Sequence, residues 1–210
     1  MGKDLVGYAT RFEAKVAKTG AEVPVIRKAL ARVFRQRNDS GNAIKHLEAL
    51  RAVVPDDVVV LRALVELYDA SAKPDEARRA LDALVVFDPG NAAAWEDLGR
   101  RLAKAGQTEE ADRAFTNAVE MRPLEPDGYR LLARLAAEAK TPARAAAHWH
   151  NVTRVRPIEP EGRLEEAKAW IAAGEPAKAR PALDEVLAGT WEERFGAAKE
   201  EAGRLLQSIR

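Results

Sequence analysis

Ala43, Ala77, Ala111, Ala145 and Ala179 recur at one interval of 34 residues, and Pro55, Pro89, Pro123 and Pro157 keep the same interval without insertion or deletion. A fixed period of this length marks one supersecondary unit copied and stacked, because a single copy cannot bury its apolar face alone and must do so against its neighbours. Composition agrees. The chain is 47% hydrophobic, enough for a core, yet 32% charged, which suits the large surface of a stack better than a single globule.

Set out by the period, the chain divides into blocks 24–57, 58–91, 92–125, 126–159 and 160–193, with no spacer between them. In block 92–125, Trp95, Leu98, Gly99 and Leu102 stand at i, i+3, i+4 and i+7, which predicts an amphipathic helix, A. Gly106 breaks the pattern. Thr108 is placed to cap a second helix, B, with Glu110 and Asp112 in its first turn, Ala111, Phe115 and Ala118 as its stripe, and Pro123 closing it. The same scheme gives Leu61, Leu64, Val65, Tyr68, Ala77, Leu81 and Leu84 in block 58–91, and Arg27, Leu30, Ala31, Phe34, Ala43, Leu47 and Leu50 in block 24–57.

The periodic columns have a packing reason. Gly99 aligns with Ala31, Val65, Ala133 and Ala167, so the A and B helices can approach closely there. The larger residue four positions after each column alanine (Leu47, Leu81, Phe115, Trp149 or Leu183) fills the space beside the crossing. Pro24, Pro126 and Pro160 are expected to open A helices, where a missing N–H costs nothing, and Asn91 to cap one.

These residues resemble the tetratricopeptide repeat (TPR) family, whose W-x2-L-G…A-x3-F…P pattern stands here as Trp95, Leu98, Gly99, Ala111, Phe115 and Pro123. The likeness runs over residues 24–193. It implies an all-α, right-handed α-solenoid of five antiparallel helix pairs, with the A helices lining a concave groove that receives a peptide or a partner's helix. The fifth block diverges. Thr190-Trp191 replaces the closing proline, and Pro181 falls inside the expected helix B, which it would leave undisturbed if that helix began only near Lys178.

An extra helix is expected at each end. At the C-terminus, 190–210, a Thr190/Glu193 capping box would start a capping helix with Phe195, Ala198, Ala202, Leu205, Leu206 and Ile209 on one face. At the N-terminus, 1–23, Leu5, Tyr8, Ala9, Phe12 and Val16 form an inward stripe, and Ala9 lies one period before Ala43. That register reads as helix B of a truncated sixth unit, either a native cap or the trace of a longer array.

Several function classes find no support in the residues. Without cysteine there is no disulfide, Cys-based zinc site or thiol chemistry. Lys and Arg total 34 against 33 acidic residues, and the blocks change sign along the chain, so no continuous basic stripe offers itself to nucleic acid or an anionic membrane. No apolar run is long enough to span a bilayer, and a charged start (Lys3, Asp4, Arg11, Glu13) is unlike a signal peptide, so a cytoplasmic location is expected. The Met1-Gly2 start lacks the Ser or Thr of a myristoylation signal, since Val6 stands there. The Asn38 and Asn151 sequons carry no argument without secretion.

Catalytic, cofactor and metal motifs are absent. His148 and His150 point to opposite sides of a helix, and His46 lies three periods from His148, so all three read as solvated or rim residues, not ligands. Trp95, Trp149 and Trp170 read as core residues, while Trp191 could seal the C-terminal end or lie exposed.

The expected function is therefore a non-catalytic protein–protein interaction scaffold, with self-association as the alternative and RNA binding a weaker third. The candidate partner face is the outer side of the A helices: Lys28, Arg32, Arg62, Arg100, Arg130, Leu131, Arg134, Leu164, Lys168 and Ile171. One column reads Arg32, Glu66, Arg100, Arg134, Lys168. It suits an acidic peptide, with Leu131, Leu164 and Ile171 as an apolar anchor, and with Arg62/Glu66 and Glu96/Arg100 as local pairs. A carboxylate clamp of the kind some relatives use is not expected: only Lys28 matches it, Arg32 and Ala63 standing where it needs asparagines, and Ala93 and Asp97 where it needs basic residues.

Overall fold

The computed structural model describes residues 4–209, so the Met1-Gly2 start lies outside it. Every regular element among the described residues is helical. The helices form two compact units, Met1–Gly90 and Asn91–Arg210. The first holds α1 (Asp4–Thr19), α2 (Pro24–Gln36), α3 (Ser40–Arg51), α4 (Val58–Ala70) and α5 (Pro74–Phe87). The second holds α6 (Ala92–Lys104), α7 (Thr108–Met121), α8 (Pro126–Glu138), α9 (Pro142–Val155), α10 (Glu161–Ala172), α11 (Pro176–Ala188) and α12 (Ala197–Ser208). The pairs α2/α3, α4/α5, α6/α7, α8/α9 and α10/α11 are five antiparallel A/B hairpins, and within each unit a B helix also packs on the next A helix.

The crossings are built as the periodic columns require. All five column alanines are buried, as are Leu47, Leu81, Phe115, Trp149 and Leu183 beside them. At Gly99 the approach is so close that a Cβ would stand 2.4 Å from the Phe115 ring, so only glycine fits under that ring as placed.

Each hairpin reverses through one left-handed residue, again at the period: Asn38, Ala72, Gly106, Lys140 and Gly174, with φ between 53° and 75°. Gly106 and Gly174 adopt that conformation without a Cβ penalty and Asn38 tolerates it, whereas Ala72 and Lys140 are held in a turn that their side chains disfavour.

Capping is mixed. Asp39, Asp57 and Asn91 accept the backbone N–H of the third residue of α3, α4 and α6, and Pro24 and Pro126 open α2 and α8. Thr108 is the first residue of α7, not its cap; Gln107 flanks the helix and makes no side-chain cap. Pro160 likewise flanks α10.

The C-terminal segment departs further from expectation. α11 begins at Pro176, not near Lys178, so Pro181 lies inside it with its ring exposed, and the helix continues past it with Ala179, Ala182, Leu183 and Val186 on the buried face. No Thr190/Glu193 capping box forms. Glu193–Phe195 is a single 3-10 turn, and α12 starts only at Ala197. Trp191 is half-buried, and its Nε1 donates to the Val186 carbonyl at 2.7 Å, satisfying one of the acceptors that the end of α11 leaves open. The apolar face of α12 then joins Leu164, Ala167, Leu183 and Val186 through Ala198, Ala202, Leu205 and Leu206.

α1 is attached by different forces. Its inward stripe supplies two buried residues, Ala9 and Phe12, whereas Tyr8 is exposed. The rest is polar. Arg27, only 6% exposed, holds Glu22 through Nε and Nη2 at 2.9 and 2.7 Å, reaches Glu13 of α1 at 3.4 Å, and lies over the Phe12 ring. Lys45 reaches Glu13 from α3 at 2.5 Å.

His46 corrects the expectation of solvated histidines: it is 1% exposed and stacked on Phe34. Arg27 Nη1 lies 3.1 Å from its Nδ1, and a guanidinium can only donate, so the ring is neutral with its proton on Nε2. His148 is half-buried, and His150 is exposed with Glu166 at 3.2 Å.

Candidate functional site

Within each unit the outward faces of neighbouring A helices form open clefts. In the first unit, α2 and α4 enclose about 560 Å³ above Leu47 of α3. The α2 wall carries Lys28, Arg32 and Arg35; the α4 wall carries Val59, Val60 and Ala63. Lys28 is tied to Asp57 at 2.5 Å and Arg35 to Glu66 at 2.7 Å. Arg32 has no acidic partner among the described residues and is exposed between them. The burial of Asp57 would raise its carboxyl, but Lys28 and the Val60 N–H outweigh that and hold it below the usual range, so the Lys28 pair persists at neutral pH.

In the second unit, α6 and α8 enclose about 290 Å³ above Phe115 of α7, lined by Arg100, Lys104, Leu131, Arg134 and Glu138. Arg100 is occupied by Glu96 at 3.0 Å. Arg134 and Lys104 have no acidic partner among the described residues, but Glu138 shares their cleft. A third cleft of about 490 Å³ lies above Trp149, where Lys168 is held by Glu165 at 2.7 Å and by Glu201 of α12 at 2.8 Å.

The residues expected to form one face are thus divided. Lys28 and Arg32 share one cleft; Arg100, Leu131 and Arg134 share another; Lys168 lies in the third. Arg62 is exposed near Asp88 at 3.9 Å and does not pair with Glu66, which Arg35 has taken; the Glu96/Arg100 pair does form. Arg130 is bound by Asp127, Glu159 and Glu161, which ties α8 to the start of α10 and leaves it no free donor edge for a ligand.

The apolar anchor is not assembled. Leu164 is 6% exposed inside the C-terminal cluster, with Ile171 packed against it, because α12 covers the end of α10 and α11. Only Leu131 of that trio lines a cleft. The apolar surface that does face outward, Val25 (76% exposed) and Val59 (73%), escaped the sequence reading, since both lie off the buried stripe. Their column, Val25, Val59, Ala93, Asp127, Glu161, carried the signal.

No group of His, Asp or Glu among the described residues is placed to hold a metal ion, and no helix there is long and apolar enough to cross a membrane.

Models of the tetratricopeptide repeat match residues 34–101 and 96–149, together more than half of the chain, and the chain belongs to that family. Among solved structures it is similar to MamA (18% identity, TM-score 0.62, 88% of this chain and 94% of that one). It is similar also to YrrB, described as a TPR protein with an unusual peptide-binding site (16%, TM-score 0.60, 83% and 89%). PilF of Pseudomonas aeruginosa follows at 18%, TM-score 0.51, 89% and 90%. At these identities the likeness establishes the fold, an α-solenoid of helix hairpins. No curated protein sequence matched. A protein-interaction scaffold is the general role such a fold supports.

Proposed function

We propose that the chain is a non-catalytic, cytoplasmic adaptor that holds a partner peptide or helix against the outward faces of its A helices, favouring acidic partners with an apolar anchor. The observation that carries this is the placement of cations without acidic partners, Arg32 in one unit, Lys104 and Arg134 in the other, on the rims of clefts whose floors are apolar. A repeat protein spends its constant columns on helix contacts, so recognition falls to the variable outward positions. The peptide-binding site of YrrB, a protein of the same fold, supports the reading by analogy.

The immobilised chain is expected to retain a defined set of acidic proteins from the lysate of its native cell, released by moderate salt, and a variant carrying Arg32→Glu with Arg134→Glu is expected to lose them. Retention that is unchanged by the double charge reversal would refute the reading. Self-association is the second reading, favoured by Leu124 (79% exposed) and Ile158 at equivalent turns of the second unit. Light scattering over a concentration series decides it: a mass that stays at one chain throughout removes it.

A further inference from the structure

The three clefts are not equivalent, and the difference points to one of them. The α2/α4 cleft alone combines an apolar wall, an unengaged guanidinium and no acidic residue on its lining. Its volume of about 560 Å³ is within the roughly 300–1,000 Å³ of ligand pockets, whereas the α6/α8 cleft, at about 290 Å³, is at the bottom of that range.

Val25, Lys28 and Arg32 follow one another along α2 at i, i+3 and i+7, and Val59 and Ala63 along α4 at i and i+4. On the walls of the cleft itself Lys28 and Arg32 stand one helical turn apart, as do Val59 and Ala63, a spacing that the i, i+4 side chains of a helical ligand match. In the second unit the Val25/Val59 column becomes Ala93, Asp127 and Glu161, and the last two are engaged by Arg130. A carboxylate arriving there meets carboxylates.

We propose that an acidic amphipathic helix of the partner is anchored in the α2/α4 cleft, laying an apolar side chain on Val59, Val60 and Ala63 and placing a carboxylate, one turn away, on Arg32. Lys28 and Arg35 are neutralised by Asp57 and Glu66 and frame the site, so its net positive charge is that of Arg32. The carboxylate gains a charge-assisted, bidentate bond from Arg32, and the apolar side chain covers Val59, which otherwise faces water. This rests on the scaffold reading above and narrows it to one unit.

The test uses the full chain and a fluorescein-labelled, 14-residue helical peptide with Leu at i and i+4 and Glu one turn from each, read by anisotropy. Arg32→Glu is expected to weaken binding about tenfold or more and Val59→Ser severalfold, while Arg134→Glu changes it less than about twofold. Replacing the peptide's Glu by Gln should cost about as much as Arg32→Glu. Unchanged far-ultraviolet circular dichroism shows that each variant is folded.

Equal losses from Arg32→Glu and Arg134→Glu, or indifference to the Glu→Gln peptide, overturn the inference. Loss with Arg134→Glu alone overturns it while leaving the scaffold reading intact. Absence of binding by the peptide overturns it as well, and the lysate experiment then judges the scaffold reading separately.

Discussion

The first unit ends in a helix held by charge, the second in a helix held by apolar contact. α1 buries only Ala9 and Phe12 and is joined to α2 and α3 by Glu13 with Arg27 and Lys45 beside a buried histidine; α12 is joined to α10 and α11 through leucines, valines and alanines, with one ion pair from Glu201 at the edge. The clefts differ as well: the α2/α4 cleft of the first unit has no acidic residue on its lining, whereas Glu138 shares the α6/α8 cleft of the second with Lys104 and Arg134. Identical backbone repeats thus receive opposite chemistry, because the period constrains only the A/B crossing.

The largest effect should come from the apolar side. Trp149 is buried beside Ala133 and Val152, so Trp149→Ala is expected to cost about 3–5 kcal/mol by denaturant titration. A cost below about 1 kcal/mol would mean that the second unit does not depend on its crossings.

Arg27→Met tests the polar side. The side chain is 7% exposed while its carboxylate partners keep about a quarter of their surface in water, so the loss should be about 2–3 kcal/mol, below the figure for a fully buried pair. Protease nicking near residues 19–23 should rise with it. An unchanged midpoint and unchanged nicking would show that α1 is not held by this cluster.

Acidification should separate the units further. Burial pushes His46 below its usual 6.5, with Arg27 and Lys45 adding to the fall and Glu13 and Glu22 opposing it. The folded state therefore binds the proton less readily than the unfolded state. Stability from the neutral ring is complete above pH 6.5 and is lost as pH falls from there toward the depressed value. Glu22, held down chiefly by Arg27, and Glu13, where Lys45 outweighs burial, contribute stability above their usual 4.5 that is lost in stronger acid. His148, depressed by burial and Arg144, adds a like slope in the second unit. His46→Asn, which keeps an acceptor but does not titrate in this range, should flatten the slope between pH 5 and 6.5 to what His148 leaves; an unaltered slope would exclude His46.

The smallest effect should be a gain. Ala72 sits at φ 53°, so Ala72→Gly is expected to stabilise the first unit by about 0.5–1 kcal/mol, whereas the same turn in the second unit already has Gly106. A loss on substitution would mean that the Ala72 methyl has a packing role.

The helix pairs were legible because Ala111 and Phe115 are read by immediate neighbours one turn and one helix away. The ends were less so. Pro181 and Thr190 obeyed local rules that the apolar face of α11 and the Trp191 bond to Val186 overrode. Periodicity places Leu164 outward because it does not reveal that a later helix covers that position. Arg27 stands in the core stripe while His46 reads as a rim residue, and neither gives a sign of the other, since they are 19 residues apart and brought together only by the α2/α3 packing.

By itself, the sequence determined the hairpin, its period and the absence of catalytic motifs, since these depend on spacing within a turn or a repeat. The tertiary structure alone decided which cations are spent on partners and which are left: Lys28, Arg35, Arg130 and Lys168 are claimed, and Arg32 is not. Ion pairing depends on distances between helices, which a column of like residues does not encode.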